Sequence, residues 1–166
     1  MARKKKKDIY FGGWLVAAGC FIRIIQLFGA FFGAGFVSNR WLYATMLCLL
    51  CGGFAIISYE KKGRASLFAI VTAAFSLLST VMSNMSSGAD GLRIASAIFL
   101  VLTFACAGLV SMFSAGKSNI KLLGGAALLL LAIACGAFAF GISVAPIVIL
   151  LVLLMAYVLM GAMMII

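Results

Sequence analysis

From Leu122 to Ile166 the chain carries no charged side chain, a run of 45 residues. As one straight helix this run would be about 68 Å long, more than twice the roughly 30 Å hydrocarbon core of a bilayer. It must therefore double back. Gly141, Ser143 and Pro146 form the only cluster of helix breakers near its middle. The residue before a proline is biased away from helix, so a tight hairpin is expected there.

The rest of the chain has the same character. Of its 166 residues 66% are hydrophobic and 10% charged, and the mean hydropathy is +1.29. A soluble domain carries about 25% charged residues to face water. Disorder requires low hydrophobicity as well as net charge. Both are excluded, and an integral membrane protein remains. Six apolar stretches lie between breaks that carry charge or turn residues: Gly13 to Val37, Trp41 to Ser58, Ser66 to Ser83, Ile94 to Phe113, Leu122 to Ile142 and Ala145 to Ile166. Lipid offers the backbone no hydrogen bonds, so each span should be a complete helix. A strand barrel would show inward-polar alternation, which is absent. The expected fold is an all-α bundle of six transmembrane helices over 13–166, preceded by a basic arm over 1–12.

The basic residues set the topology. Arg3, Lys4, Lys5, Lys6 and Lys7 precede the first span, Lys61, Lys62 and Arg64 follow the second, and Lys117 and Lys121 follow the fourth, whereas the opposite loops hold only Arg40 and Arg93. Lysine and arginine are retained on the cytoplasmic side, which predicts cytoplasmic N- and C-termini and suits a bacterial inner membrane. Trp14, Trp41, Tyr10 and Tyr59 stand near span ends, where amphipathic rings favour the headgroup layer. Directly before a membrane span, the basic arm reads as a topology signal that attracts anionic lipid headgroups, with no nucleic-acid partner implied.

The inventory for chemistry is thin. There is no histidine, and the acids are Asp8, Glu60 and Asp90 alone. The usual imidazole base, haem ligand and zinc ligand are missing, and carboxylate pairs or oxygen cages have almost nothing to build with. A non-enzymatic protein without metal or cofactor is expected.

Arg23 is the residue that most needs explaining. Counted from Trp14 it lies about 13 Å along the first span, near the middle of the hydrocarbon core, where a guanidinium costs about 2.5–3.5 kcal/mol on insertion scales. No acid of the chain lies at that depth. Gln26 follows at i+3 on the same helix face, so the two could present donors to one ligand. The charge is answered by snorkelling, by a partner subunit, or by an anionic lipid or solute. Ser76, Ser79 and Thr80 draw a polar stripe along the third span, continued by Ser83 and Asn84. Such hydroxyls bond back to their own helix or line a solute path. Small residues at helix-packing spacing, Gly29 with Gly33 and Ala132 with Gly136, are expected to bring helices together, whereas Gly124 has Leu128 four residues on and so no such partner.

Cys48 and Cys51 have the Cys-x-x-Cys spacing of thiol oxidoreductases, but hydrocarbon burial disfavours the thiolate that such chemistry needs. Cys20, Cys106 and Cys135 stand singly in other spans, so no disulfide framework follows. Three functions are thus expected, in this order: a subunit or assembly partner touching other membrane chains or a second copy through Arg23 and the small-residue faces; a small channel or carrier for an anionic or amphipathic solute using Arg23 and Gln26; and an intramembrane thiol oxidoreductase using Cys48 and Cys51.

Overall fold

The computed structural model describes residues 11–33, 40–85 and 90–166. Six helices form from the six apolar stretches: α1 (Phe11–Phe31), α2 (Arg40–Glu60), α3 (Arg64–Met85), α4 (Asp90–Phe113), α5 (Asn119–Ala139) and α6 (Pro146–Ile165). Each has 20 to 24 residues and so spans about 30–36 Å, enough to cross a bilayer. Residues 1–10 of the basic arm, with Tyr10, and residues 34–37 of the expected first span lie outside the described residues. The arm's last two expected residues, Phe11 and Gly12, already belong to α1.

The hairpin in the uncharged run falls between Phe140 and Ala145. Ile142 N–H donates to the Ala137 carbonyl at 3.2 Å, Gly141 turns the chain at φ +120°, and Pro146 opens α6, where its missing N–H costs nothing.

Neighbours in sequence pack in space, and α6 returns to α1, closing the ring; α4 also meets α6. Five helices therefore surround a common interior, and α5 covers the seam between α4 and α6. The start of α1 lies against the end of α6, with Gly13 on the Met164 carbonyl. Outward faces are apolar: Phe21, Leu67, Leu130 and Ile133 are all exposed. An apolar surface of this kind is stable only in lipid.

The helices approach most closely at the end that holds Phe11 and Ile165. A Cβ on Gly12 would meet the Gly53 carbonyl at 2.8 Å, and one on Gly53 the Gly12 carbonyl at 3.0 Å. Between α4 and α5, Gly108 and Gly125 show the same reciprocity, at 2.8 and 2.6 Å. Small residues let backbones meet where no hydrophobic force drives helices together.

These are largely other small residues than those the spacing predicts. Gly33 lies beyond the end of α1 in a left-handed turn (φ +69°), and among the described residues a Cβ there would meet nothing within 4 Å, so it follows the helix end and makes no helix crossing there. Gly136 has only Val101 nearby, at 3.7 Å, and would tolerate a methyl group. Gly29 and Ala132 are buried. Gly124, which lacks a partner on its own helix, sits under the Met163 sulfur of α6. Close crossings are made between helices, and spacing within one helix does not report them.

Candidate functional site

Arg23 stands about 18 Å along α1 from Phe11, near the helix midpoint. Its guanidinium turns into the ring of helices. The Tyr43 ring lies 5.5 Å away and the Tyr157 ring 6.0 Å away. Nη1 donates to Gln26 Oε1 at 3.3 Å. Each ring contact is worth about 0.5–2 kcal/mol. Together they match the size of the insertion penalty of about 2.5–3.5 kcal/mol, so the protein can hold this cation at mid-depth. They do not neutralise it.

The guanidinium borders a cavity of about 110 Å³. Its lining comes from all five ring helices: Arg23 from α1, Tyr43, Met46 and Leu50 from α2, Ser76, Ser79, Thr80 and Ser83 from α3, Ser96, Leu100 and Thr103 from α4, and Tyr157 and Met160 from α6. Among the described residues no carboxylate lines it. A dry apolar cavity of about 150 Å³ accepts benzene, so this one suits a group of about five heavy atoms, or several waters.

The cavity occupies the half of the bundle away from the chain ends, reaching from Arg23 toward Ser83 near the end of α3. The other side holds buried side chains. One helical turn from the lining, each ring helix places a buried residue: Cys20, Phe54, Thr72, Ala107 and Met164, none more than 9% exposed.

The residues singled out in the sequence are distributed as follows. Arg23, Ser76, Ser79 and Thr80 share the cavity. Gln26, 1% exposed, does not line it; the amide stands behind Arg23 and fixes the guanidinium, and its own Nε2 is buried without a partner. Asn84 is exposed and outside the lining. Sequence reasoning missed Tyr43, Ser96, Thr103 and Tyr157. Tyr43 could have been flagged as a ring one turn inside the start of a span; Ser96 and Thr103 lie seven apart on α4 and so on one face.

The hydroxyls hold the wall in shape. Ser79 donates to the Ser96 carbonyl and Ser96 to the Ser79 carbonyl, each at 3.0 Å, clasping α3 to α4. Thr80 donates to the Ser76 carbonyl at 2.9 Å and Thr103 to the Phe99 carbonyl at 2.8 Å.

The cysteine pair lies apart from this site. Cys48 is exposed on the outer face, and half-buried Cys51 donates to the Ala73 carbonyl at 3.6 Å. At the glycine-rich end, Glu60 Oε1 accepts from Gly12 N–H at 3.4 Å, and its other oxygen is buried without a partner. Beside it, partial burial and the Lys121 charge push the Lys61 ammonium below the ordinary lysine range, with Glu60 opposing.

Six membrane-length apolar helices packed in one bundle make this an integral membrane protein of the helical-bundle class, in contact with the lipid bilayer. No family model, no curated protein and no solved structure matches the chain.

Proposed function

We propose that this protein is a small carrier that binds an anionic solute, or the anionic group of an amphipathic one, at Arg23. One observation carries the reading: a guanidinium held at mid-helix, bordering a cavity lined by six hydroxyl-bearing serines and threonines of α3 and α4 among others, with no carboxylate among its described lining residues. A guanidinium has five N–H donors. Gln26 takes one, which leaves others for an occupant. The positive potential at a poorly hydrated site favours an anion strongly over a cation or neutral molecule.

The basic residues orient the bundle with both termini in the cytoplasm, so the cavity faces outward, in a bacterial inner membrane. The arm over 1–12 is drawn to anionic lipid headgroups at that surface. The reading calls for no cofactor and no catalytic residue.

Proteoliposomes test it. Small anions such as phosphate, acetate or chloride should exchange across protein-bearing membranes faster than across empty ones, and Arg23→Gln should return the rate to the empty control. Equal exchange by wild type and Arg23→Gln would rule the reading out.

A second reading, a subunit of a larger membrane complex or a homo-oligomer, draws on the apolar recess of about 440 Å³ lined by Ala30, Phe31, Ala145, Pro146, Ile147 and Leu150. Arg23 no longer supports it, since its charge is engaged inside the chain. Purification in mild detergent separates the two: a monomer that still exchanges anions needs no partner. The thiol oxidoreductase has the least support, because Cys48 and Cys51 lie away from the cavity.

A further inference from the structure

Wall and floor of the cavity differ in hydrogen-bonding sense. At the floor, Arg23 and the two phenols offer protons. Along the wall, four of the six lining hydroxyls have committed their protons: Ser79, Ser96, Thr80 and Thr103 each donate to a backbone carbonyl, with Ser76 and Ser83 completing the wall. A hydroxyl carries one proton and two lone pairs, so these four oxygens have only lone pairs left to offer an occupant. A bare oxyanion, itself all acceptors, satisfies the floor and leaves the wall unpaired or repelled.

We infer that the site selects oxyanions that carry their own hydrogen-bond donors, a hydroxylated carboxylate or a protonated phosphate, over acceptor-only anions of the same size. The inference rests on the reading of the Arg23 cavity as an anion site. It extends that reading from charge to chemical class. A site built to bond a ligand O–H discriminates sharply against the analogue that lacks it, because its own polar groups are then left without partners. The small volume favours free anions of about five heavy atoms. The same chemistry on a lipid is a phosphomonoester headgroup.

Two matched pairs test this with the purified full-length protein in detergent, by titration calorimetry at pH 7. Glycolate and acetate have equal charge and differ by one hydroxyl; hydrogen phosphate and sulfate are near-equal in size and differ in whether the oxyanion keeps a proton. Glycolate should bind about tenfold or more tighter than acetate, and phosphate likewise tighter than sulfate. In the near-isosteric double variant Thr80→Val/Thr103→Val the preference should shrink severalfold, through weaker glycolate binding with acetate unchanged. Arg23→Gln should abolish binding of all four, and Arg23→Lys, which keeps the charge, should weaken all four while preserving their order. Displacement of bound phosphate by vesicles containing phosphatidic acid marks a lipid headgroup as the source, and no displacement marks a free solute; the inference stands in either case. If each pair binds equally well and Arg23→Gln removes both members, the donor requirement is wrong and the anion site stands. If no anion binds the wild type, or binding survives in Arg23→Gln, the site itself is wrong and the donor requirement falls with it.

Discussion

Two adjacent glycines of α2 give opposite forecasts for the same substitution. A Cβ at Gly52 meets nothing within 4 Å, whereas one at Gly53 meets the Val16 side chain at 2.6 Å, the Val16 backbone nitrogen at 2.8 Å and the Gly12 carbonyl at 3.0 Å. Alanine is better than glycine in a helix interior by about 0.8–1 kcal/mol. Gly52→Ala should collect that gain in full. Gly53→Ala has the same gain set against overpacking, which costs about 1–3 kcal/mol in a well-packed core. Two of its three neighbours are backbone atoms that no rotamer change can move, so the upper part of that range applies and the net loss is about 1–2 kcal/mol. For a chain of this length about 1 kcal/mol moves the midpoint of thermal unfolding by roughly 3 °C. Gly52→Ala should raise the midpoint by about 3 °C and Gly53→Ala lower it by about 3–6 °C, followed in detergent micelles by the fluorescence of Trp14 and Trp41. Shifts of the same sign in both variants would show that α1 and α2 do not cross at Gly12 and Gly53.

Replacing Ser79 and Ser96 together by alanine removes both arms of the α3–α4 clasp; at about 0.6 kcal/mol for an interhelical hydrogen bond in lipid, the midpoint should fall by roughly 3–4 °C, with each single variant near half of that. For Lys61, whose ammonium form is disfavoured in the folded protein, the unfolded chain binds more protons between the folded value and the ordinary lysine range, so stability rises with pH across that window. Lys61→Gln should flatten this alkaline rise in a series of unfolding midpoints and leave the acid side unchanged. Cys48, exposed on the outer face toward hydrocarbon, and Cys20, buried between α1 and α6, should both resist a membrane-permeant maleimide in intact membranes and label only after denaturation, as mass spectrometry of the labelled peptides will read.

What the sequence discloses about this molecule follows the range of the forces involved. The six spans were legible because hydrocarbon demands an uninterrupted apolar run from each helix separately, and the hairpin near Pro146 was legible because a length limit and a backbone restriction act on a few consecutive residues. Arg23, Ser76, Ser79 and Thr80 could be picked out for the same reason: a polar group in an apolar run is anomalous wherever its neighbours end up. That the four border one cavity could not be read, since α1 and α3 are not packed against each other and meet only across the space between them. Packing was the least legible level. Gly29 and Gly33 look like a helix-association pair by spacing, yet the helix stops at Phe31 and Gly33 is spent on a turn, whereas Gly124 becomes a contact only because Met163 arrives from a helix nearly forty residues later.

The two ends of the bundle divide the work between them. Gly12 with Gly53, and Gly108 with Gly125, draw the helices together at the end holding Phe11 and Ile165, and Cys20, Phe54, Thr72, Ala107 and Met164 fill the layer beneath the cavity. The guanidinium, the two phenols and the hydroxyls of Ser76, Ser79, Thr80, Ser83, Ser96 and Thr103 line the cavity in the other half. A carrier with this division must part that five-residue layer to release its solute on the far side; a protein that only captures an anion need not. The layer is also where the helices are held by backbone-to-backbone contact instead of flexible side chains, which makes local loosening costly and collective movement of α1 with α2, or α4 with α5, the cheaper route. Exchange through the membrane and binding without exchange are therefore separated by whether the glycine-paired helices move as pairs, and crosslinking α1 to α2 through cysteines introduced beside the Gly12–Gly53 crossing should leave exchange intact, while crosslinking α1 to α6 should stop it.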